Sequence, residues 1–347
     1  MNDNRSILSP ESSWPASPCR ASSCRASRTD HRLTLLEALE YEFPTSKSRL
    51  IARAGLCETT TRRIGRELAQ EGILTLVRGA DPDDGRAADL VSLSRYPSLP
   101  ILEITEHRLL WRLCDTCGDS VFATIRERSG FLPPEDDLAV LLGQVAAILR
   151  ADTCGLTPSV PLQPPVLLLP AEESYWHAVV CRALDREIPF ALAHETAVAE
   201  ELRYHPRTQE ADSVLCLHAG ETASVSLYHR EQAGNLRSPF VPAAHASPLA
   251  ETLTAYVDGH RPHSEAWWQR VADFLGDACR FISPACVMVE TARTESPSDR
   301  LRAAIPPSAT FIRTTCGLNT PSLAHRGALR FSRRALWGEM LRRSAKS

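Results

Sequence analysis

The stretch GLCETTTRRIGRELAQEGIL, residues 55–74, restricts the fold of this chain more than any other segment. Thr61, Ile64 and Leu68 recur at helical spacing and give a helix from about Glu58 to Glu71 one buried face. Thr59, Arg62, Arg63 and Arg66 are left on the opposite face. Gly55 stands where a preceding helix must end, a position that favours a residue tolerant of positive φ. That preceding helix runs through Ala54 and is capped by Thr45-Ser46, whose hydroxyls satisfy a free backbone N–H. Upstream, LTLLEALEYEF reads as a first amphipathic helix carrying Leu33, Leu35, Leu36 and Leu39 on one side. Downstream of Gly72, ILTLVRGADPDDGRAADLVSLS places two alternating apolar runs around the turn ADPDDG, which is a β-hairpin pattern. Three helices followed by a hairpin is the order of a winged helix-turn-helix.

Charge is the second constraint. The 347-residue chain carries 39 Lys and Arg against 42 Asp and Glu, a net charge of −3, so its global field does not attract nucleic acid. Residues 45–66 reverse that balance with Lys47, Arg49, Arg53, Arg62, Arg63 and Arg66 against a single acid, Glu58. Arginine can hold phosphate or grip guanine bidentately, and a helix end in the major groove reaches both. Thr59, Thr60, Arg62, Arg63 and Arg66 are the expected groove residues, and Lys47 and Arg49 the expected phosphate contacts. Arg78 and Arg86 would extend from the wing toward the backbone, opposed by Asp81, Asp83 and Asp84 at its tip. The alternative for the same residues is a basic, solvated helix in an α+β domain, or one that binds protein.

At 347 residues and 43 % hydrophobic content the chain is long enough for more than one globular domain. The longest apolar run, LAVLLGQVAAIL at 138–149, is too short to span a bilayer. Eleven scattered cysteines without a secretory leader read as reduced thiols in the cytoplasm. Cys114 and Cys117 form one C-x-x-C, but neither Cys19/Cys24 nor His260/His263 is a supported second pair, so no metal is expected there. Residues 1–30 are rich in Ser, Arg and Pro, with the near-repeat CRASSCRASR at 19–28. They read as a disordered tail whose bias also resembles an organellar transit peptide.

From Leu99 short apolar strands alternate with helices. PILEIT, RLLWRLC and SVFATIRER are three antiparallel strands with a turn at 115–118. Next come a helix at 136–150, a strand in PVLLLP, a helix at 172–185, a strand in PFALAH and a helix from Glu195. Strands at 213–218 and 223–229 precede helices at 249–257 and 264–281. A strand at 286–290, a helix at 297–304, a strand at 309–313 and a helix from about 320 close the chain. This is an α/β region with mixed sheets. Trp267 and Trp268 read as packing residues and the segment from His260 to His263 as a loop.

At this point residues 31–345 resemble the ROK family of transcriptional regulators. The run at 55–74 is similar to the family's G-L-S-x-x-T-V-S-R-I-V-x-x-L-x-x-x-G-L-V. Arg86 after Gly85 matches the Gly-Arg of the wing, and Asp115 with Gly118 matches the D-x-x-G turn. HETAVAEEL at 194–202 stands at the family's N-D-A-N-x-A-A-x-A-E, and GALRFSRRALWGEML resembles its closing helix. The resemblance implies an α/β protein: an N-terminal winged helix-turn-helix at 31–95, then an actin/hexokinase-like, two-lobed domain at 96–347.

Departures from the family are informative. Where ROK sugar kinases carry D-x-G-G-T, this chain has Glu103-Ile-Thr-Glu-His, without glycines and with Glu106 set to repel a phosphate. The second phosphate loop, HAGETASV, retains only Gly220, and the nucleotide-side Gly-Gly is Glu290-Thr291. Glu195 stands at the catalytic Asp, after His194 in place of Asn. The family's zinc motif is absent between Gly234 and Gly259. The expectation is a cytoplasmic, bacterial, DNA-binding regulator of duplex DNA that dimerises, has no cofactor and no sugar kinase activity, and senses a small-molecule effector through His194 and Glu195. A divergent ATP-dependent sugar kinase and a protein-interaction scaffold are the alternatives.

Overall fold

The computed structural model describes residues 28–344 apart from 81–84, 86, 106–107, 129–133, 151–164, 170–173, 184–190, 220–222, 232–238, 244–245, 292–297 and 318–319. The sequence expectations on Cys19, Cys24, the aspartates at the wing tip, Arg86, Glu106 and Gly220 lie outside the described residues. So does the expected tail up to residue 27, whereas 28–30 already belong to the first helix.

That helix, α1 (Arg28–Leu39), is followed by α2 (Lys47–Ala54) and α3 (Glu58–Gln70). The Ser46 hydroxyl caps α2 by accepting from the Arg49 N–H at 3.4 Å. Gly55 ends α2 at φ 63°, in the left-handed region that a side chain resists, and turns the chain into α3. Strands β1 (Leu74–Ala80) and β2 (Ala87–Leu93) then pair antiparallel, with Val77 opposite Leu90. Thr45 and Val91 exchange two backbone hydrogen bonds, of 2.9 and 2.8 Å, which pin the entry to α2 onto the hairpin. Leu36, Leu39, Leu50, Ile64, Leu68 and Leu93 form the core of this module. The sequence-derived winged helix-turn-helix is the structure observed.

The remaining chain builds two sheets on one plan. The first contains β3 (Pro97–Ile104), β4 (Arg108–Asp115), β5 (Ser120–Glu127), β6 (Val166–Leu169) and β7 (Ala191–Ala193), in the order β5-β4-β3-β6-β7. The second contains β8 (Ser213–Ala219), β9 (Ala223–Arg230), β10 (Phe240–Pro242), β11 (Cys286–Thr291) and β12 (Thr310–Thr315), in the order β10-β9-β8-β11-β12. In each sheet an antiparallel half continues into a parallel half through β3-β6-β7 or β8-β11-β12. Helices α4 (Pro134–Arg150) and α5 (Ser174–Ala183) pack on the first sheet, around Leu138, Leu141 and Val180. Helices α7 (Ala246–Val257), α8 (Glu265–Ile282) and α9 (Ser298–Ala304) cover the second, with Trp267 and Trp268 in the core. Helix α6 (His194–Tyr204) and the long α10 (Leu323–Ser344) run between the two. The mixed-sheet α/β region is as the order of elements predicts, and its two lobes match the actin/hexokinase-like fold that the family resemblance implies. Strand β10 was not expected: three residues are too few to show alternation, and it is held as an edge by β9.

Helix α10 has two roles. Its start packs on α6 so closely that a Cβ on Gly327 would lie 1.7 Å from the Ala197 carbonyl oxygen. Its end carries Trp337 and Leu341 into the core of the winged module. The two modules are therefore joined through a shared core. No described helix is long and apolar enough to cross a membrane.

Candidate nucleic-acid interface and interlobe cleft

Helix α3 buries Thr61, Ile64 and Leu68 and leaves Thr59, Arg62, Arg63 and Arg66 exposed. Two of these arginines rest on acids of their own helix, Arg62 on Glu58 at 2.5 Å and Arg63 on Glu67 at 2.7 Å. Both guanidiniums stay at least half exposed, and such pairs are worth only a few tenths of a kcal/mol, so phosphate or base edges can displace them. Arg66 has no ion-pair partner among the described residues. Lys47 is exposed in the first turn of α2. Arg49 differs from its expected posture: it lies half-buried against Glu42 at 3.1 Å, beside Arg53, which reaches the same carboxylate at 2.7 Å. Thr60 is half-buried and accepts from the Cys57 thiol at 3.0 Å. On the wing, Arg78 is exposed and faces Asp89 across the hairpin at 3.1 Å. Cys57 occupies the N-cap of α3 without capping it through its side chain. Its hydrogen bond to the Thr60 hydroxyl lowers its pKa.

A buried ion network joins the winged module to the domain. Glu40, just after α1, is fully buried and accepts from Arg330 at 2.6 Å and Arg333 at 2.7 Å. Arg330 also donates to Glu201 of α6 at 2.9 Å. Its guanidinium stacks on Tyr204, and that of Arg333 on Phe43. A cavity of about 320 Å³ opens beside the network, lined by Phe43, Asp119, Glu201, Arg326, Arg330 and Arg333.

Where the two lobes meet, at the carboxyl ends of the parallel strands, polar side chains converge. Glu103 of β3 is buried, with His194 Nε2 at 3.3 Å from Oε1 and His325 Nε2 and Arg108 each at 3.7 Å from Oε2. Burial alone would raise the Glu103 carboxyl, but His325, His194 and Arg108 outweigh it and hold it well below the usual carboxylate range. Burial pushes His325 down to about 4 against the pull of Glu103, so its imidazole is neutral at pH 7. Arg112, 1 % exposed, crosses from the first sheet and donates to the Gly317 carbonyl beyond β12 at 2.9 Å. On the second sheet Glu290 bonds His218 Nδ1 at 3.0 Å and accepts from the Leu323 N–H, at the start of α10, at 2.7 Å. Cys316 lies alongside, and burial lifts its thiol to about 12, with Glu290 and Glu103 adding to the rise.

His194 is thus engaged by Glu103, while Glu195 is half-buried in the same first turn of α6. The cleft residues that sequence reasoning left without a role are Arg112, His218, Cys316 and His325, together with the positioning of Glu103 and Glu290. Their signal was present: Glu103 in PILEIT, Arg112 in RLLWRLC and Glu290 in VMVET are charges inside otherwise apolar strands. Cys114 is a buried strand residue whose thiol is raised to about 12 by burial, and Cys117 is half-buried in the adjoining turn.

No protein-family model matches the chain, and no curated protein matches it in sequence. Among solved structures, a ROK family transcriptional regulator, a homolog of the E. coli MLC protein, superposes with a TM-score of 0.53 at 10 % identity. The match covers 92 % of this chain and 99 % of that one. The chain has the fold of a ROK family transcriptional regulator. Two sugar kinases are also similar over less of the chain. An inorganic polyphosphate/ATP-glucomannokinase from Arthrobacter sp. strain KM gives a TM-score of 0.45 at 14 % identity, covering 68 % of this chain and 98 % of that one. A ROK family glucokinase from Streptomyces griseus gives 0.40 at 12 %, with 68 % and 99 % coverage.

Proposed function

We propose that this protein is a DNA-binding transcriptional regulator whose winged helix-turn-helix, residues 31–95, reads duplex DNA. The observation that carries the reading is the split of α3: Thr61, Ile64 and Leu68 bury one face, and Thr59, Arg62, Arg63 and Arg66 stand together on the exposed one. In a winged helix-turn-helix that outward face is the one offered to the major groove. Thr59, Thr60, Arg62, Arg63 and Arg66 read bases or adjoining phosphates, Lys47 holds a phosphate, and Arg78 and Arg86 contact the backbone from the wing. Arg49 joins them by exchanging Glu42 for phosphate.

The domain at 96–347 serves in this reading as a dimerisation and sensing unit that works in the cytoplasm, without sugar kinase activity. Dimerisation follows from the two half-sites that such readers use. The cleft favours sensing over phosphoryl transfer, because the buried Glu290 stands at the family's nucleotide-side Gly-Gly, and Thr105 and Glu106 replace the glycines that follow the acidic position held by Glu103. An effector would meet His194 and Glu195 on the first turn of α6.

The test is enrichment of genomic fragments from the source genome on the purified protein. Recovery of a discrete site by wild type, lost in Arg62→Ala/Arg63→Ala, supports the regulator. Phosphorylation of a hexose or amino sugar by ATP, abolished in Glu195→Gln, would replace it with a kinase.

A further inference from the structure

We propose that His218, Glu290 and Cys316 form a binding site for a divalent cation of the zinc class at the edge of the interlobe cleft. The three residues come from the ends of neighbouring strands: His218 from β8, Glu290 from β11, and Cys316 just past β12. Their donor atoms, an imidazole nitrogen, a carboxylate oxygen and a thiol sulfur, all lie within 4.8 Å of one another. Tetrahedral zinc, with bonds of about 2.0–2.3 Å, sets its ligand atoms about 3.3–3.5 Å apart, so small side-chain rotations close the site. The donor set is selective. Nitrogen and sulfur suit zinc and its borderline neighbours, whereas calcium and magnesium require a shell of oxygens.

Each ligand is already oriented by the fold. The Leu323 N–H holds one Glu290 oxygen at 2.7 Å and leaves the other facing His218 Nδ1 at 3.0 Å. Cys316 is fixed from both sides, its own N–H donating to the Thr291 carbonyl at 2.9 Å and the next carbonyl, of Gly317, accepting from Arg112 at 2.9 Å. Such outer contacts are what hold metal ligands in register. A divalent cation balances the carboxylate and the thiolate, and binding displaces the thiol proton to solvent. Three protein ligands leave a fourth position, and the 40 % exposure of His218 directs it toward solvent, where water or a small ligand completes the shell. The site does not depend on the DNA-reading function.

The experiment uses the full chain, reduced and treated with chelator, titrated anaerobically with cobalt(II) as a spectroscopic stand-in for zinc. The expected result is one equivalent bound with a thiolate-to-cobalt charge-transfer band and the intense visible bands of a tetrahedral site, both bleached by zinc. Cys316→Ser removes the charge-transfer band, and His218→Ala weakens binding at least tenfold. Cys117→Ser leaves both unchanged. Because Cys316 lies in a packed loop, zinc-induced thermal stabilisation in wild type and in His218→Ala gives a second reading. No charge-transfer band in wild type would overturn the site and leave His218–Glu290 as a plain hydrogen-bonded pair. A band that survives in Cys316→Ser, or equal stabilisation of wild type and His218→Ala by zinc, would overturn it as well.

Discussion

Replacing Glu40 by Gln keeps its shape and removes its charge. The consequence is set by how differently its two arginines are placed. Arg330 retains Glu201 at 2.9 Å as a counter-ion. Arg333, with a side chain only 4 % exposed, meets no carboxylate other than Glu40 among the described residues. Burial already lowers the Arg333 pKa, and Glu40 is the largest opposing influence. Glu40→Gln therefore strands one buried guanidinium, which costs about 3–5 kcal/mol, a large share of the roughly 5–15 kcal/mol that holds a typical protein folded. Urea unfolding followed by tryptophan fluorescence reads the change, since Trp337 sits in the core shared by the two modules. Adding Arg333→Met removes the stranded charge and should recover at least about 2 kcal/mol, a coupling far above the scatter of independent sites. A loss below about 1 kcal/mol, or simple additivity of the two substitutions, would refute the reasoning.

Gly327→Ala forces a Cβ to within 1.7 Å of the Ala197 carbonyl oxygen, so α10 must lift from α6. The expected cost is about 2 kcal/mol or more by thermal or urea unfolding, and an unchanged midpoint would contradict the close approach. Cys57→Ser places a hydroxyl at an N-cap that now lacks a side-chain cap, and should stabilise the protein by about 0.5–1 kcal/mol without loss of DNA affinity. Acid should weaken the fold in two steps. His325 titrates near 4 when folded against an ordinary 6.5, so the unfolded chain binds the extra proton and stability falls as pH drops from 6.5 toward 4. Glu103, held below its ordinary 4.5, adds its own loss below that pH. Urea midpoints across this range should show the first step in wild type and a smaller one in His325→Gln, where His205, also lowered by burial, keeps its own share.

Local regularity explains why so much of the fold was legible. The helical spacing of Thr61, Ile64 and Leu68, the turn at Gly55 and the cap at Ser46 are each decided within a few residues, and each is found as expected. The sheets followed from apolar runs broken by turns, and only β10 was too short to register. The ion networks were not legible, because their partners are distant in sequence. Glu40 and Arg333 are 293 residues apart, and Arg112 meets Gly317 across 205. An isolated charge in an apolar strand signals that a partner exists without saying which. Arg49 shows the same limit on the surface, where its spacing marked a phosphate contact and its neighbour Glu42 took the guanidinium.

The most direct test of the account is the salt dependence of binding to the enriched operator, measured for wild type and for Arg62→Ala/Arg63→Ala. Wild type should bind the operator at least about 10³-fold more tightly than a scrambled duplex, with affinity falling linearly on a logarithmic salt scale. The double variant should lose most of that preference, and its slope should fall by about one for each phosphate contact removed. Equal binding of operator and scrambled duplex by wild type, or an undiminished preference in the variant, would contradict the claim that the outward face of α3 reads DNA.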